Sequence, residues 1–227
     1  MPRNLWTTEV GSAMWGMFIP GKSDHDYVTV RQNHTKAILS GMYNQKTWPQ
    51  EKSVTRYSTS TQKYDEVTDK SFMEIEHLVN LLLKGNVNAL WAVMSPIIKK
   101  DHPYLQELRQ IVLSQPNKLP YHSIHGMSIA QQADAVKRPD MASGNKGLSV
   151  AARTIQFGQR LLTNWTFNFE VTDSTLNFLE TPDHVDYYRR GLDYAHKHSN
   201  LPERPDPEPF RNFLFRIRCN DLLGIEQ

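Results

Sequence analysis

Apolar positions along the chain change rhythm near residue 71. Upstream they come in short runs broken by polar residues: Leu5 to Val10 mixes Trp, Thr and Val and stops at Gly11, and Asp26 to Arg31 alternates with β-branched residues. A period of two with such side chains predicts half-buried strands, the first entering a tight turn and the second beginning at Asp26. The polar stretch from Asn33 to Lys52, with Gly41 and Pro49, reads as a long connection with a short helix at Thr35 to Ser40. Ser53 to Tyr64, rich in Ser, Thr and Tyr, and Asp65 to Asp69 supply one or two further strands. Then Ile75, Leu78, Val79, Leu82 and Leu83 recur at helical spacing behind Ser71-x-x-Glu74, which has the form of a capping box.

From there the pattern is helical. Asn86 to Ser95 forms a short helix stopped before Pro96, and Tyr104 to Ser114 and Ile124 to Val136 follow, separated by a break at Pro116 and Pro120. A linker from Lys137 to Asn145 precedes a helix over Leu148 to Leu162, with Lys146 and Arg153 one heptad apart. Another helix spans His184 to His198, a Pro-rich connector runs from Leu201 to Pro209, and a last helix starts at Phe210. The expected architecture is α+β: a short mixed sheet with helices over residues 1–95, then an all-helical domain over 96–227.

Composition narrows the setting. With 227 residues and 39% hydrophobic side chains the chain can bury one good core or two small ones. Mean hydropathy is −0.57, and no apolar run is long enough to cross a bilayer. The first ten residues lack the apolar centre of a secretion signal, so a cytoplasmic setting away from membranes is expected. Cys219 is the one cysteine, which excludes an internal disulfide and a cysteine metal cluster. A net charge of +2 and pI of about 8.6 do not by themselves announce a nucleic-acid binder.

The chemistry concentrates near the first turn. Gly11 lets backbone approach a phosphate, Ser12 can bond a phosphate oxygen, and Asp24-x-Asp26 at the start of a strand offers hard oxygen ligands for Mg²⁺. Metal-bridged triphosphate oxygens and an activated hydroxyl together point to nucleotidyl transfer. Taken alone, Asp-x-Asp reads more readily as a solvated turn before a strand.

The ordered set Gly11-Ser12, Gly16, Pro20, Ser23, Asp24-x-Asp26 resembles the DNA polymerase β superfamily of nucleotidyltransferases, and more narrowly its RNA repair pathway DNA polymerase beta family. The likeness continues through Leu81 to Asn86, Ser95-Pro96, Lys146-Gly-Leu with Arg153, and Ser199 to Asp206, covering nearly the whole chain. It implies a minimal polymerase-β-like palm, with Asp24 and Asp26 binding two Mg²⁺ ions, for which Mn²⁺ substitutes. It also implies a third carboxylate on the neighbouring strand, Asp69 in preference to Asp65. Gly11, Ser12, Ser23, Lys146 and Arg153 would serve the triphosphate. The chain departs from the family pattern at Ala13, where Arg is frequent, in a loop lengthened at Gly21-Lys22, and at Val87 and Trp91-Ala92, where the family has Pro and Glu-Trp.

The expected reaction moves an NMP from an NTP to an acceptor hydroxyl with release of pyrophosphate. The acceptor stays open among an RNA end, DNA, a protein and a small molecule, with or without a partner protein. A catalytically degenerate nucleotide- or RNA-binding module is the alternative. Glu74 is expected to cap a helix, Lys84 to favour a helix C-terminus, and Lys146 and Arg153 read equally as a solvated basic face. His122 and His125 are three apart, but no Glu or Cys nearby completes a metal set.

Overall fold

Alternation over Arg3–Val10 and His25–Gln32 builds an antiparallel pair, β1 and β2, in which Val10 stands opposite Asp26. The structure, a computed structural model, describes residues 2–42, 46–58, 63–137 and 141–225. Between β1 and β2 lies the one-turn helix α1 (Gly11–Met14), and after them α2 (Thr35–Leu39). Strands β3 (Thr47–Ser58) and β4 (Lys63–Glu74) form a long antiparallel hairpin, and β4 runs parallel to β2. The short β5 (Ile98–Lys100) joins the far edge of β1, giving the order β3-β4-β2-β1-β5.

One face of this sheet is sealed by α3 (Ile75–Leu82) and α4 (Val87–Met94). Thr8 Oγ1 donates to the Ala92 carbonyl at 2.7 Å, fixing the face that β1 turns toward α4. Trp6, Val30, Ile75, Leu78, Val79, Leu90 and Val93 are buried in this core. Each buried aliphatic side chain contributes roughly 1.5–3 kcal/mol of transfer free energy. Helix α5 (Pro103–Ser114) and the C-terminal α10 (Glu208–Leu223) belong to the same body through Tyr104, Leu105, Leu108, Phe210 and Phe213, with Tyr104 and Phe213 meeting edge to face at 6.0 Å.

The chain divides into two compact units: residues 1–83, 88–115 and 206–227 form the first, residues 84–87 and 116–205 the second. The expected division falls at residue 95, whereas α5 and α10 group here with the sheet-bearing unit, α10 lying against α2, α3 and α5. The second unit holds α6 (Pro120–Lys137), α7 (Met141–Asn164), α8 (Asp173–Leu176) and α9 (Pro182–His198). A Cβ on Gly158 would come within 2.8 Å of Leu192 Cδ1 and 2.9 Å of Ile124 Cγ2, so a glycine lets α6, α7 and α9 close on one another.

Several sequence expectations shift. Ser71 is a strand residue donating to the Tyr27 carbonyl at 3.2 Å, and Glu74 is itself the N-cap of α3, accepting from Glu76 N at 2.6 Å. Pairing of β4 with β2 continues to Glu74, opposite Arg31, so ladder bonds outcompete the capping box upstream. Strand β3 begins inside the stretch expected to be a connection, and β5 lies in the part expected to be helical. Of the linker expected over 137–145, residues 138–140 lie outside the described set and α7 starts at Met141. Among the described residues no helix is long and apolar enough to cross a membrane.

Candidate active site

Strand register assembles the site. The chain leaves β1 at Gly11 with φ of +64°, and a Cβ built there would stand 2.0 Å from Asp26 Oδ2. Only a residue without a side chain lets this left-handed turn and the Asp26 carboxylate share that space. On the other side of Asp26, the parallel ladder sets it directly beside Asp69. Lys52 on β3 is in turn opposite Asp69, and its ammonium lies 3.5 Å from Asp69 Oδ1 and 3.9 Å from Asp24 Oδ2. Gly11, Asp24, Asp26, Asp69 and Lys52 therefore form one cluster where β1, β2, β4 and β3 meet. Asp65 is on β4 opposite Arg56, outside the segment paired with β2, and its side chain is not among those described.

The carboxylates differ in setting. Asp24 is about half exposed, whereas Asp69 Oδ1 is buried and accepts no hydrogen bond. A buried carboxylate oxygen without a donor needs a cation nearby, and Lys52 supplies one. These oxygen donors suit Mg²⁺ or Mn²⁺. Among the described residues, however, no three His, Cys, Asp or Glu side chains already converge on an ion-sized point.

Ser12 sits in the turn of α1, its carbonyl accepting from Trp15 N at 3.2 Å and Met17 N at 2.9 Å. Ser23 closes the loop before Asp24: its hydroxyl accepts from Ile19 N at 3.0 Å and its own N–H donates to the Ile19 carbonyl at 2.9 Å. Lys146 is exposed and Arg153 half-buried, both on α7 of the second unit. His122 and His125 take part in an aromatic group around Tyr121, which stacks on His196 at 3.9 Å, and they join no metal set among the described residues.

Two further segments brace the fold. Gly85 in the Leu-Lys-Gly-Asn segment has φ of +67°, and a Cβ there would meet the Leu119 backbone at 2.5 Å. The buried Ser95 hydroxyl donates to the Glu9 carbonyl, and Arg109 donates to the carbonyls of Val93 at 2.8 Å and Ser95 at 2.6 Å, tying down the end of α4.

Lys52 went unnoticed in the sequence because only cross-strand register shows that it faces Asp69. A second group also went unnoticed, around the residue between the two aspartates. His25 Nδ1 contacts the buried Glu9, His25 Nε2 lies 2.7 Å from Glu66, and Lys99 Nζ lies 2.8 Å from Glu9. The hydrogen bond to Glu9 raises the Lys99 pKa above its ordinary value, while burial, seconded by Glu9, raises that of Tyr27.

A glycine turn makes room for the second acid of Asp-x-Asp, and a third acid stands in register on the adjoining parallel strand. The chain belongs to the RNA repair pathway DNA polymerase beta family, whose model matches residues 3–135, a span that includes the entire sheet. Among solved structures the chain is similar to a nucleotidyltransferase-like protein from Exiguobacterium sibiricum 255-15 at 10% identity and a TM-score of 0.28, over 95% of this chain and 73% of that one. No curated protein matches significantly.

Proposed function

We propose that the protein is a Mg²⁺-dependent nucleotidyltransferase that moves an NMP from an NTP to an acceptor hydroxyl. The observation that supports this most is the register that sets Asp26 beside Asp69 and against Gly11. Asp24, Asp26 and Asp69 would hold the metal, Asp24 being about half exposed and Asp69 largely buried. Bound Mg²⁺ offsets triphosphate charge and makes the acceptor hydroxyl more acidic. The bare Gly11 turn lets a phosphate approach, and the Ser12 hydroxyl donates to its oxygen. Lys52, held near the carboxylates at the long distances above, would turn its ammonium toward the triphosphate and pair with its oxygens. Asp69 receives the proton of the attacking hydroxyl; the new bond forms to the α-phosphorus and the bond to the β-phosphate oxygen breaks, releasing pyrophosphate. Lys146 and Arg153 are proposed phosphate ligands within the second unit, and Ser23 fixes the approach of Asp24.

The family's description favours an RNA end as acceptor, with DNA and a protein hydroxyl as the other choices. The second reading, a degenerate nucleotide-binding module, is favoured by the lysine already paired with Asp69. Calorimetric titration with ATP separates the two. The wild type should bind at least about tenfold tighter, ~1.4 kcal/mol, with Mg²⁺ than with EDTA, and Asp69→Asn should erase that difference. Equal affinity with and without metal in the wild type would overturn the proposal.

A further inference from the structure

The sheet segregates charge. Asp24, Asp26 and Asp69 gather beside Gly11, while the face away from α3 and α4 holds an open groove of about 460 Å³, within the roughly 300–1,000 Å³ usual for ligand sites. By strand parity Tyr27, Thr29 and Arg31 point into this groove, opposite in direction to Asp24 and Asp26. Arg31, Lys70, Lys99 and Lys100 line it against a single carboxylate, Glu51. Glu9 is paired with Lys99 at 2.8 Å and contacts His25 Nδ1, and Glu66 lies 2.7 Å from His25 Nε2.

The groove is also shaped for more than charge. The Arg31 guanidinium lies 3.7 Å from the Phe72 ring centroid and 5.1 Å from that of Trp48, and its Nε donates to Asn4 Oδ1 at 2.7 Å. Held in that plane, it presents N–H donors suited to a phosphate's paired oxygens. Tyr27 supplies a ring in the same groove, and the Thr7 and Thr29 hydroxyls, 2.9 Å apart, form its polar floor. Cations that track a backbone, with an aromatic ring among them, match the way single strands are bound without sequence preference.

We propose that this open sheet face is a binding groove for a single nucleic-acid strand, whose phosphates are held by Arg31, Lys70, Lys99 and Lys100 and one of whose bases stacks on Tyr27. The groove does not depend on the transfer chemistry and is tested by binding alone. The probe is a 5′-fluorescein oligouridylate of about 12 nucleotides, within the span of known single-strand sites, read by anisotropy across a salt series.

Lys70→Gln/Lys100→Gln removes two exposed cations and should weaken binding about tenfold while lowering the slope of log affinity against log salt by about 1.4. Tyr27→Leu should weaken binding about fivefold with the slope unchanged. The control pair Lys36→Gln/Lys197→Gln, exposed cations elsewhere, should bind as the wild type. Asp24→Asn/Asp26→Asn should also keep binding, so loss of transfer and loss of strand binding are separable. A 4-thiouridine probe should crosslink to the groove-lining residues of strands β1 to β5, a readout that does not need any variant to fold. The proposal is overturned if the groove pair binds no more weakly than the control pair, if a duplex of equal length binds as well as the single strand, or if crosslinks fall outside those strands.

Discussion

Gly11 is where local conformation and chemistry meet. Its φ of +64° alone costs an L-residue about 1–2 kcal/mol, and the missing Cβ is what leaves room for Asp26. Gly11→Ala should therefore lower the melting temperature by a few degrees yet reduce nucleotide transfer about 100-fold, because the carboxylate is pushed off its position. Parallel losses in stability and transfer, with both small, would contradict this. His102 is a second case. Its Nδ1 accepts from Tyr104 N at 3.2 Å as the N-cap of α5. Burial, followed by Arg3 and Lys100, lowers its pKa below the ordinary 6.5. A depressed histidine pKa means the unfolded chain binds more protons, so this stability is whole above about pH 6.5 and fades as pH falls below it. His102→Asn keeps a capping acceptor, and its melting temperature should depend less steeply on pH between 5 and 7; an unchanged pH dependence would refute the assignment.

At the scale of elements, α3 depends on Glu74. This buried residue caps the helix, accepts from Asn33 N at 3.3 Å, and pairs with Arg218 of α10 at 2.7 Å. Glu74→Ala leaves the largely buried guanidinium short of a partner and should cost about 3 kcal/mol in urea unfolding, with Arg218→Met in the same chain recovering part of it. Glu74 also shows why elements were unevenly legible. Strands β1 and β2 and helices α3, α5, α6, α9 and α10 follow from period and capping residues. Strand β3 does not: Pro49 reads as a breaker, but β3 is an edge strand and its register shifts between Trp48 and Glu51, where proline is tolerated. Likewise Ser71-x-x-Glu74 obeys a local rule that strand pairing overrides. Gly11, Asp24 and Asp26 stand close in sequence and were readable as a group. Lys52, and the choice of Asp69 over Asp65, turn on register, which no local pattern encodes.

On the scale of the molecule, the first unit is closed by the far end of the chain. Phe210, Phe213 and Ile217 are buried in it, and Asp221 accepts from Thr35 N at 2.6 Å. Burial alone would raise the Asp221 pKa, but the hydrogen bonds from Thr35 and the nearby His34 outweigh it and lower the value. In sequence order α6 to α9 fall between two segments of the sheet-bearing unit, and the family match ends within α6, past the last strand of the sheet. The proposed task of the acid cluster is to move a nucleotide. The direct measurement is incubation of the purified chain with each α-labelled NTP, Mg²⁺ or Mn²⁺, and single-stranded RNA, DNA and protein acceptors, beside Asp24→Asn/Asp26→Asn. Label reaching one class of acceptor with the wild type, and at least about 1,000-fold less with the variant, is the predicted result, equivalent to ~4 kcal/mol of transition-state stabilisation. Equal transfer by the two proteins, or none by either under any metal and acceptor, would contradict it.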